Sequence, residues 1–220
     1  MLSLRSTVVT VATAVLAVVV YAAMWLGYRH GWAWLGSADT SSLQTLYDVG
    51  VKHPLWVRFW DVVCTVFSPG TFRLVGVVAV VVAMARRLVR EALFLVATTE
   101  FNELITHVAK HLVHRPRPAT PLMHASSSSF PSGHALGAMV VVLALLTVLF
   151  PILGRSMRVV AVAAGALIVV AVGFGRVALN VHHLSDVVAG WALGYLYFLV
   201  CALAFRPLQR QQLSLDAIGR

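Results

Sequence analysis

Apolar residues run almost unbroken through residues 6–27 (STVVTVATAVLAVVVYAAMWLG), and a bilayer-crossing helix needs about 20 of them. The run is long for a signal peptide and no small-residue cleavage site follows it, so it predicts an uncleaved helix. Residues 28–54 mix Gly, Asp, Ser and Lys with Leu and Trp, which predicts a loop with a short amphipathic helix near 40–52. Residues 55–85 are apolar again but are split by Ser68-Pro69-Gly70. Proline interrupts a helix. The pattern therefore predicts an interfacial lead-in carrying Arg58 and Asp61, then a span over about 70–86. Further spans are predicted over 91–112, 134–150, 157–175 and 184–205, with polar segments at 113–133 and 176–183 and a charged tail at 206–220. The expectation is an all-α integral membrane protein, one domain over residues 1–220, built as a bundle of six transmembrane helices.

Composition agrees with that pattern. Of 220 residues, 60% are hydrophobic and 11% charged, against roughly 45–50% and about 25% in soluble domains. Little chain remains for a soluble appendage. Cys64 and Cys201 sit in apolar runs and read as small buried hydrophobes.

The net charge is +9, and its distribution says why. With the N-terminus inside, Arg5, Arg86, Arg87, Arg90, Arg155, Arg158, Arg206, Arg210 and Arg220 all fall on one side. Basic residues collect in cytoplasmic loops. This predicts a multi-pass protein of the plasma (inner) membrane with both termini cytoplasmic, and it accounts for the charge without nucleic acid. Lys110, Arg115, Arg117 and Arg176 fall on the outer side, against the rule, and need a local reason.

The 91–112 segment is the least apolar span. Its Glu100, Glu103, His107 and Lys110 follow a 3-4-3 spacing that places them on one helix face. Ionisable groups at membrane depth serve either a functional cavity or interhelical hydrogen bonding, and the spacing suits both.

The useful chemistry lies in "KHLVHRPRP" (110–118), "FPSGH" (130–134) and "GRVALNVHHLSD" (175–186). Lys110, Arg117 and Arg176 are three cations in a chain sparing of charge, and they suit a polyanion. Arg recognises phosphate oxygens in a bidentate manner and Lys as a point charge. Ser132 and Gly133 stand just before a helix, where backbone N–H groups favour anions. Pro131 sets the turn, Ser132 is a candidate cap, and Gly133 permits close approach. His182 and Asp186 are four residues apart and share a helix face if the helix starts near 181. A carboxylate behind an imidazole fixes its tautomer and stabilises its charged form. That suits a histidine nucleophile, with His134 as acid toward the leaving oxygen. His107, His111, His114, His134, His182 and His183 form a rival metal-ligand set. Three nearby cations would repel a divalent ion, and Asp186 is the only evident carboxylate partner in the loops, so no metal and no cofactor is expected.

Taken in order, Lys110-x6-Arg117-Pro118, Pro131-Ser132-Gly133-His134 and Arg176-x5-His182-x3-Asp186 resemble the three-part signature of the type 2 phosphatidic acid phosphatase family. That family includes lipid phosphate phosphatases, bacterial acid phosphatases and vanadium haloperoxidases. The resemblance implies that Lys110, Arg117 and Arg176 hold phosphate oxygens and that Ser132 and Gly133 donate hydrogen bonds to them. His134 would protonate the leaving group and then activate water. His182 would be the nucleophile, oriented by Asp186. The implied reaction is metal-independent hydrolysis of a lipid phosphate or diphosphate of the undecaprenyl diphosphate, phosphatidylglycerol phosphate or phosphatidic acid type. Its site would face outward, with the lipid tail kept in the membrane. One departure is visible, because Gly175 stands where the family usually has Ser. Spacing alone separates His182 from His183 and Arg117 from Arg115. The alternatives are a vanadium-dependent haloperoxidase and a non-catalytic lipid-binding or transport protein. Oligomeric state is not encoded in any of these motifs.

Overall fold

The computed structural model describes residues 4–125 and 127–205, with side chains from residue 7 onward. The charged tail 206–220, the Arg5 side chain and Ser126 lie outside the described residues. Within them the chain is all-helical: α1 (Leu4–Arg29), α2 (Ala33–Lys52), α3 (Pro54–Val66), α4 (Pro69–Ala85), α5 (Val89–Glu100), α6 (Asn102–Val113), α7 (Gly133–Leu149), α8 (Arg155–Ala178) and α9 (Leu184–Phe205), with a one-turn 3-10 helix at Phe150–Ile152. Five stretches are long and apolar enough to cross a membrane: Thr7–Arg29, Pro54–Ala85, Gly133–Ile152, Arg155–Ala178 and Leu184–Phe205.

The expected third span, 91–112, is divided at Phe101 into α5 and α6, each of 12 residues. The cause is local. Asn102 Nδ2 donates to the carbonyls of Thr98 and Thr99, both at 2.8 Å. These are the acceptors that a continuous helix would offer to the N–H groups of residues 102 and 103, and a short amide side chain competes with the backbone for them. Glu100 therefore closes one helix while Glu103 opens the next, so the four ionisable residues do not share one continuous helical face. The two glutamates meet Arg73 on α4, 2.7 Å from Glu103 and 3.7 Å from Glu100.

Helix α7 is the hub. It packs against α4, α5, α6, α8 and most extensively α9, and its inward positions Leu136, Ala138, Val140 and Val141 are fully buried. Helices α7 and α9 approach closely because Gly190 and Gly194 face the α7 backbone. A Cβ on Gly194 would stand 2.7 Å from the Leu136 carbonyl oxygen. Small residues four apart permit such an approach within a membrane. Helix α1 lies along α9, with Thr13 Oγ1 and Tyr195 Oη at 2.7 Å. Its Val8, Val11 and Val15 are exposed, as suits a lipid-facing helix.

Helix α2 is longer than the expected helix at 40–52. Its Leu43 and Leu46 pack against Ala135, Val177 and Val187. Those three residues sit at the start of α7, the end of α8 and the start of α9. Helix α2 thus covers the end of the bundle where these termini meet.

Candidate functional site

Four helix termini converge beneath α2. Helix α6 stops at His114, whose left-handed backbone (φ 51°) turns the chain into the Arg-Pro-Arg-Pro segment. Helix α8 runs past its expected end to Ala178, so Arg176 lies in its last turn rather than in a loop and is buried. The following turn folds back on it. Asn180 is left-handed at φ 54°, and the N–H groups of Val181 and His182 both donate to the Arg176 carbonyl. Residue 122 is tied to the same turn by its N–H bond to the Leu179 carbonyl.

The three expected cations come together here. Lys110 Nζ donates to Ser127 Oγ at 2.8 Å, and Arg117 Nη2 donates to the same oxygen at 3.2 Å. Two cations seven residues apart therefore reach one oxygen atom. Arg117 is anchored by the carbonyls of Ser127 and Val181, both at 2.6 Å. Arg117, His134 and Arg176 line a cavity of about 310 Å³, closed on another side by Cys64, Thr65 and Ser68 of the α3–α4 junction. Burial, aided by the Arg117 and Arg176 charges, pushes the Lys110 ammonium down to about 8. Burial and then Arg176 lower Arg117 as well.

His182 is almost fully buried. Its Nε2 lies 3.3 Å from Arg117 Nη1 and its Nδ1 lies 3.6 Å from Asp186 Oδ2, longer than a hydrogen bond. With the proton on Nδ1, the Nε2 lone pair points at the cations. Burial drives the imidazole below its ordinary range, while Asp186 opposes the shift, so the ring is neutral near pH 7. His183 lies nearer the carboxylate: its Nδ1 is 3.1 Å and its backbone N 2.8 Å from Asp186 Oδ2. That contact is a helix cap, since a side chain three residues in bonds the N–H of the residue before α9. Asp186 thus caps α9 through His183 and faces the His182 ring with the same oxygen.

Ser132 does not cap α7 with its side chain. Its N–H donates to the Asp186 carbonyl at 2.9 Å. This leaves the hydroxyl for a ligand, and Ser132 Oγ is buried with no partner among the described residues, as is Arg176 Nε. Gly133 and His134 form the first turn of α7, whose N–H groups lack intrahelical acceptors. A Cβ on Gly133 would stand 3.0 Å from Thr106 Cγ2, so α6 packs tightly against this turn.

Asp39 escaped sequence reasoning, and Arg115 entered it only as an outer-side cation that spacing alone separates from Arg117. Arg115 is buried behind the site and bonds Asp186 Oδ1 at 2.7 Å and Asp39 Oδ2 at 2.8 Å. Asp39, in the middle of α2, carries no local signal except its place on the face that also holds Leu35, Leu43 and Leu46.

The PAP2 superfamily model matches residues 91–210, more than half of the chain and all of the site except Asp39 and the α3–α4 wall. The chain belongs to the PAP2 superfamily. A curated relative, phosphatidylglycerophosphatase B of Bacillus subtilis (strain 168), is 43% identical over 101 residues, covering 44% of this chain and 49% of that one. The match therefore spans about half the length of that relative. A solved structure described as the first transmembrane PAP2 type phosphatidylglycerolphosphate phosphatase from Bacillus subtilis covers 91% of this chain and 97% of its own, with a TM-score of 0.75 and 24% identity. The two share the PAP2 fold. The departure at Gly175 has a physical basis in this PAP2 chain. A Cβ there would stand 2.7 Å from Cys64 Sγ and 3.1 Å from the Trp60 ring.

Proposed function

We propose that this PAP2 protein is a membrane lipid phosphatase that hydrolyses a lipid phosphate through a phosphohistidine on His182, without a metal. The carrying observation is that Lys110 and Arg117 converge on one oxygen, Ser127 Oγ, while the other terminal nitrogen of Arg117 lies 3.3 Å from His182 Nε2. A phosphoryl oxygen placed there would meet both cations. The buried, unpartnered Ser132 Oγ and Arg176 Nε offer two further donors, and buried polar groups need partners. Phosphatidylglycerol phosphate is the leading substrate, because the curated relative bears that activity in its name.

In the proposed reaction, His182 Nε2 attacks phosphorus and the bond from phosphorus to the leaving oxygen breaks. His134, in the first turn of α7, gives that oxygen its proton. It then takes a proton from the water that attacks phosphohistidine, releasing inorganic phosphate and restoring His182. Asp186 stabilises the imidazole as it gains charge. Positioning and charge neutralisation supply most of the catalysis in such transfers. The positive-inside pattern supports both termini in the cytoplasm and the site at the outer face of the plasma membrane, with α5 and α6 together making a sixth crossing beside the five long apolar stretches.

The test is phosphate release by purified protein from phosphatidylglycerol phosphate, undecaprenyl diphosphate and phosphatidic acid in the presence of a chelator. Turnover of at least one lipid, lost in His182→Ala and inhibited by vanadate, is expected. Full activity in His182→Ala, or dependence on an added divalent ion, would overturn the mechanism. Halide oxidation with vanadate and peroxide would mark a haloperoxidase, and lipid binding without turnover a non-catalytic protein.

A further inference from the structure

One buried ionic network adjoins the site without touching the place where phosphate would sit. Arg115 stands between two carboxylates separated by 147 residues in sequence, Asp39 on α2 and Asp186 on α9. Its Nη1 donates to Asp186 Oδ1 and Ser185 Oγ, both at 2.7 Å, and its Nη2 to Asp39 Oδ2 at 2.8 Å. The guanidinium also lies over the Tyr28 ring, 4.5 Å from its centre. Asp39 is held in turn. Its Oδ1 accepts the Ser185 N–H at 2.9 Å and its Oδ2 the Ser185 hydroxyl at 2.6 Å. All four polar members are buried.

We infer that Arg115, clamped by Asp39 and Ser185, is a positioning residue that fixes the Asp186 carboxylate against His182, and that α2 thereby serves as a strut for the catalytic pair. The inference rests on the proposed role of His182. Asp186 must do two jobs with Oδ2, capping α9 at His183 and facing His182 Nδ1. Rotation of its carboxyl would give His183 a better bond at the expense of His182. The bond from Arg115 to Oδ1 opposes that rotation, because turning the group breaks a short charge-assisted contact in a dry environment. Charge counting points the same way. Two carboxylates and one guanidinium leave one negative charge behind His182, matched to the positive charge the ring gains on reaction. Arg117, two residues on, points the other way, toward Val181 O and His182 Nε2. The Arg-x-Arg pair thus divides its labour, with one residue behind the histidine and one in front.

The variants are Asp39→Asn, Arg115→Lys, Arg115→Gln and Ser185→Ala, with size-exclusion profile and thermal unfolding in detergent as the check on folding. Two readouts are taken. Steady-state kinetics should show kcat falling by roughly tenfold to a hundredfold, as small misplacements of a reacting group do, with KM for the lipid phosphate unchanged. Arg115→Lys should retain more activity than Arg115→Gln. Histidine ring ¹⁵N shifts should show wild-type His182 protonated on Nδ1 and a mixed tautomer in Asp39→Asn. This second readout needs no turnover, so it survives a failure of the phosphatase reading. Ser185→Ala removes one hydroxyl and leaves all three charges, which supplies a mild variant if Asp39→Asn does not fold. Raised KM at constant kcat would make Arg115 a phosphate ligand and overturn the inference. Unchanged kcat and an unchanged His182 tautomer in a folded variant would also overturn it.

Discussion

A Cβ added to Gly190 would stand 2.6 Å from the carbonyl oxygen of Ser132 and 3.1 Å from Ala135 Cβ. Helix α9 therefore rests directly on the turn that starts α7, and it brings Asp186 to the Ser132 N–H. The separation of these two helices sets the separation of His134 from His182.

Gly190→Val should wedge the helices apart. Overpacking of this kind costs about 1–3 kcal/mol, and the backbone carbonyl it meets cannot rotate out of the way. Thermal unfolding in detergent should move down, and phosphate release should fall by more than stability alone explains. Gly154→Ala is the control, since nothing lies within 4 Å of a Cβ there; it should leave phosphate release unchanged, with only the small stability loss of placing alanine at the N-cap of α8.

His182 and His134 should fail in different ways. His182→Ala removes the proposed phosphoryl acceptor, so no acid-labile phosphoenzyme should form with any substrate. His134→Ala should slow lipid turnover by roughly 10²–10⁴-fold, as loss of a general acid does. Its deficit in phosphoenzyme formation should shrink with an aryl phosphate, whose leaving group needs no proton. Equal defects on lipid and aryl substrates would argue against His134 as the acid.

Activity should fall on the alkaline side through Lys110. Burial holds its ammonium down to about 8, so the cation is present below that pH and lost above it. Phosphate contact with the ammonium should raise this value, so KM should climb above about pH 8 while kcat for bound substrate holds further up. Folding should not weaken over the same range. A lysine whose folded value lies below its unfolded one stabilises the fold as pH rises between the two. Lys110→Arg should remove the rise in KM, because a guanidinium stays charged. An unaltered alkaline limb in that variant would exclude Lys110 as its source.

Gly175→Ser, which restores the residue usual in the family, should be harmful here. The new Cβ meets Cys64 Sγ at 2.7 Å and the Trp60 ring at 3.1 Å, beside the buried Arg176. Pairing it with Cys64→Ala should recover much of the lost stability and activity. Contacting residues show such non-additivity, typically 0.5–3 kcal/mol. A strictly additive double variant would mean that the Cys64 contact is not the reason for glycine.

Much of this molecule was legible before its coordinates. The apolar runs placed α1, α4, α7, α8 and α9 to within a few residues, since a membrane helix needs length and hydrophobicity and both are local properties. The spacing of Lys110, Arg117, Ser132, Gly133, His134, Arg176, His182 and Asp186 marked the residues that the fold gathers around one end of the bundle. The sorting of near neighbours was not legible. Arg115 and Arg117 look alike in sequence, and so do His182 and His183. After the left-handed turn at His114, Arg117 lines the cavity and Arg115 does not; of the two histidines, His182 meets Arg117 through Nε2 while His183 meets Asp186 through Nδ1. The break between α5 and α6 depended on one amide side chain, Asn102, competing for two carbonyls. Asp39 was invisible because its partners lie 76 and 146 residues away and no local period records such a contact. The sequence by itself determined the membrane helices and the set of candidate site residues, through composition and short-range spacing. Tertiary structure alone decided which charges stand in front of the histidine and which stand behind it, because burial and ion pairing depend on distances between helices far apart in the chain.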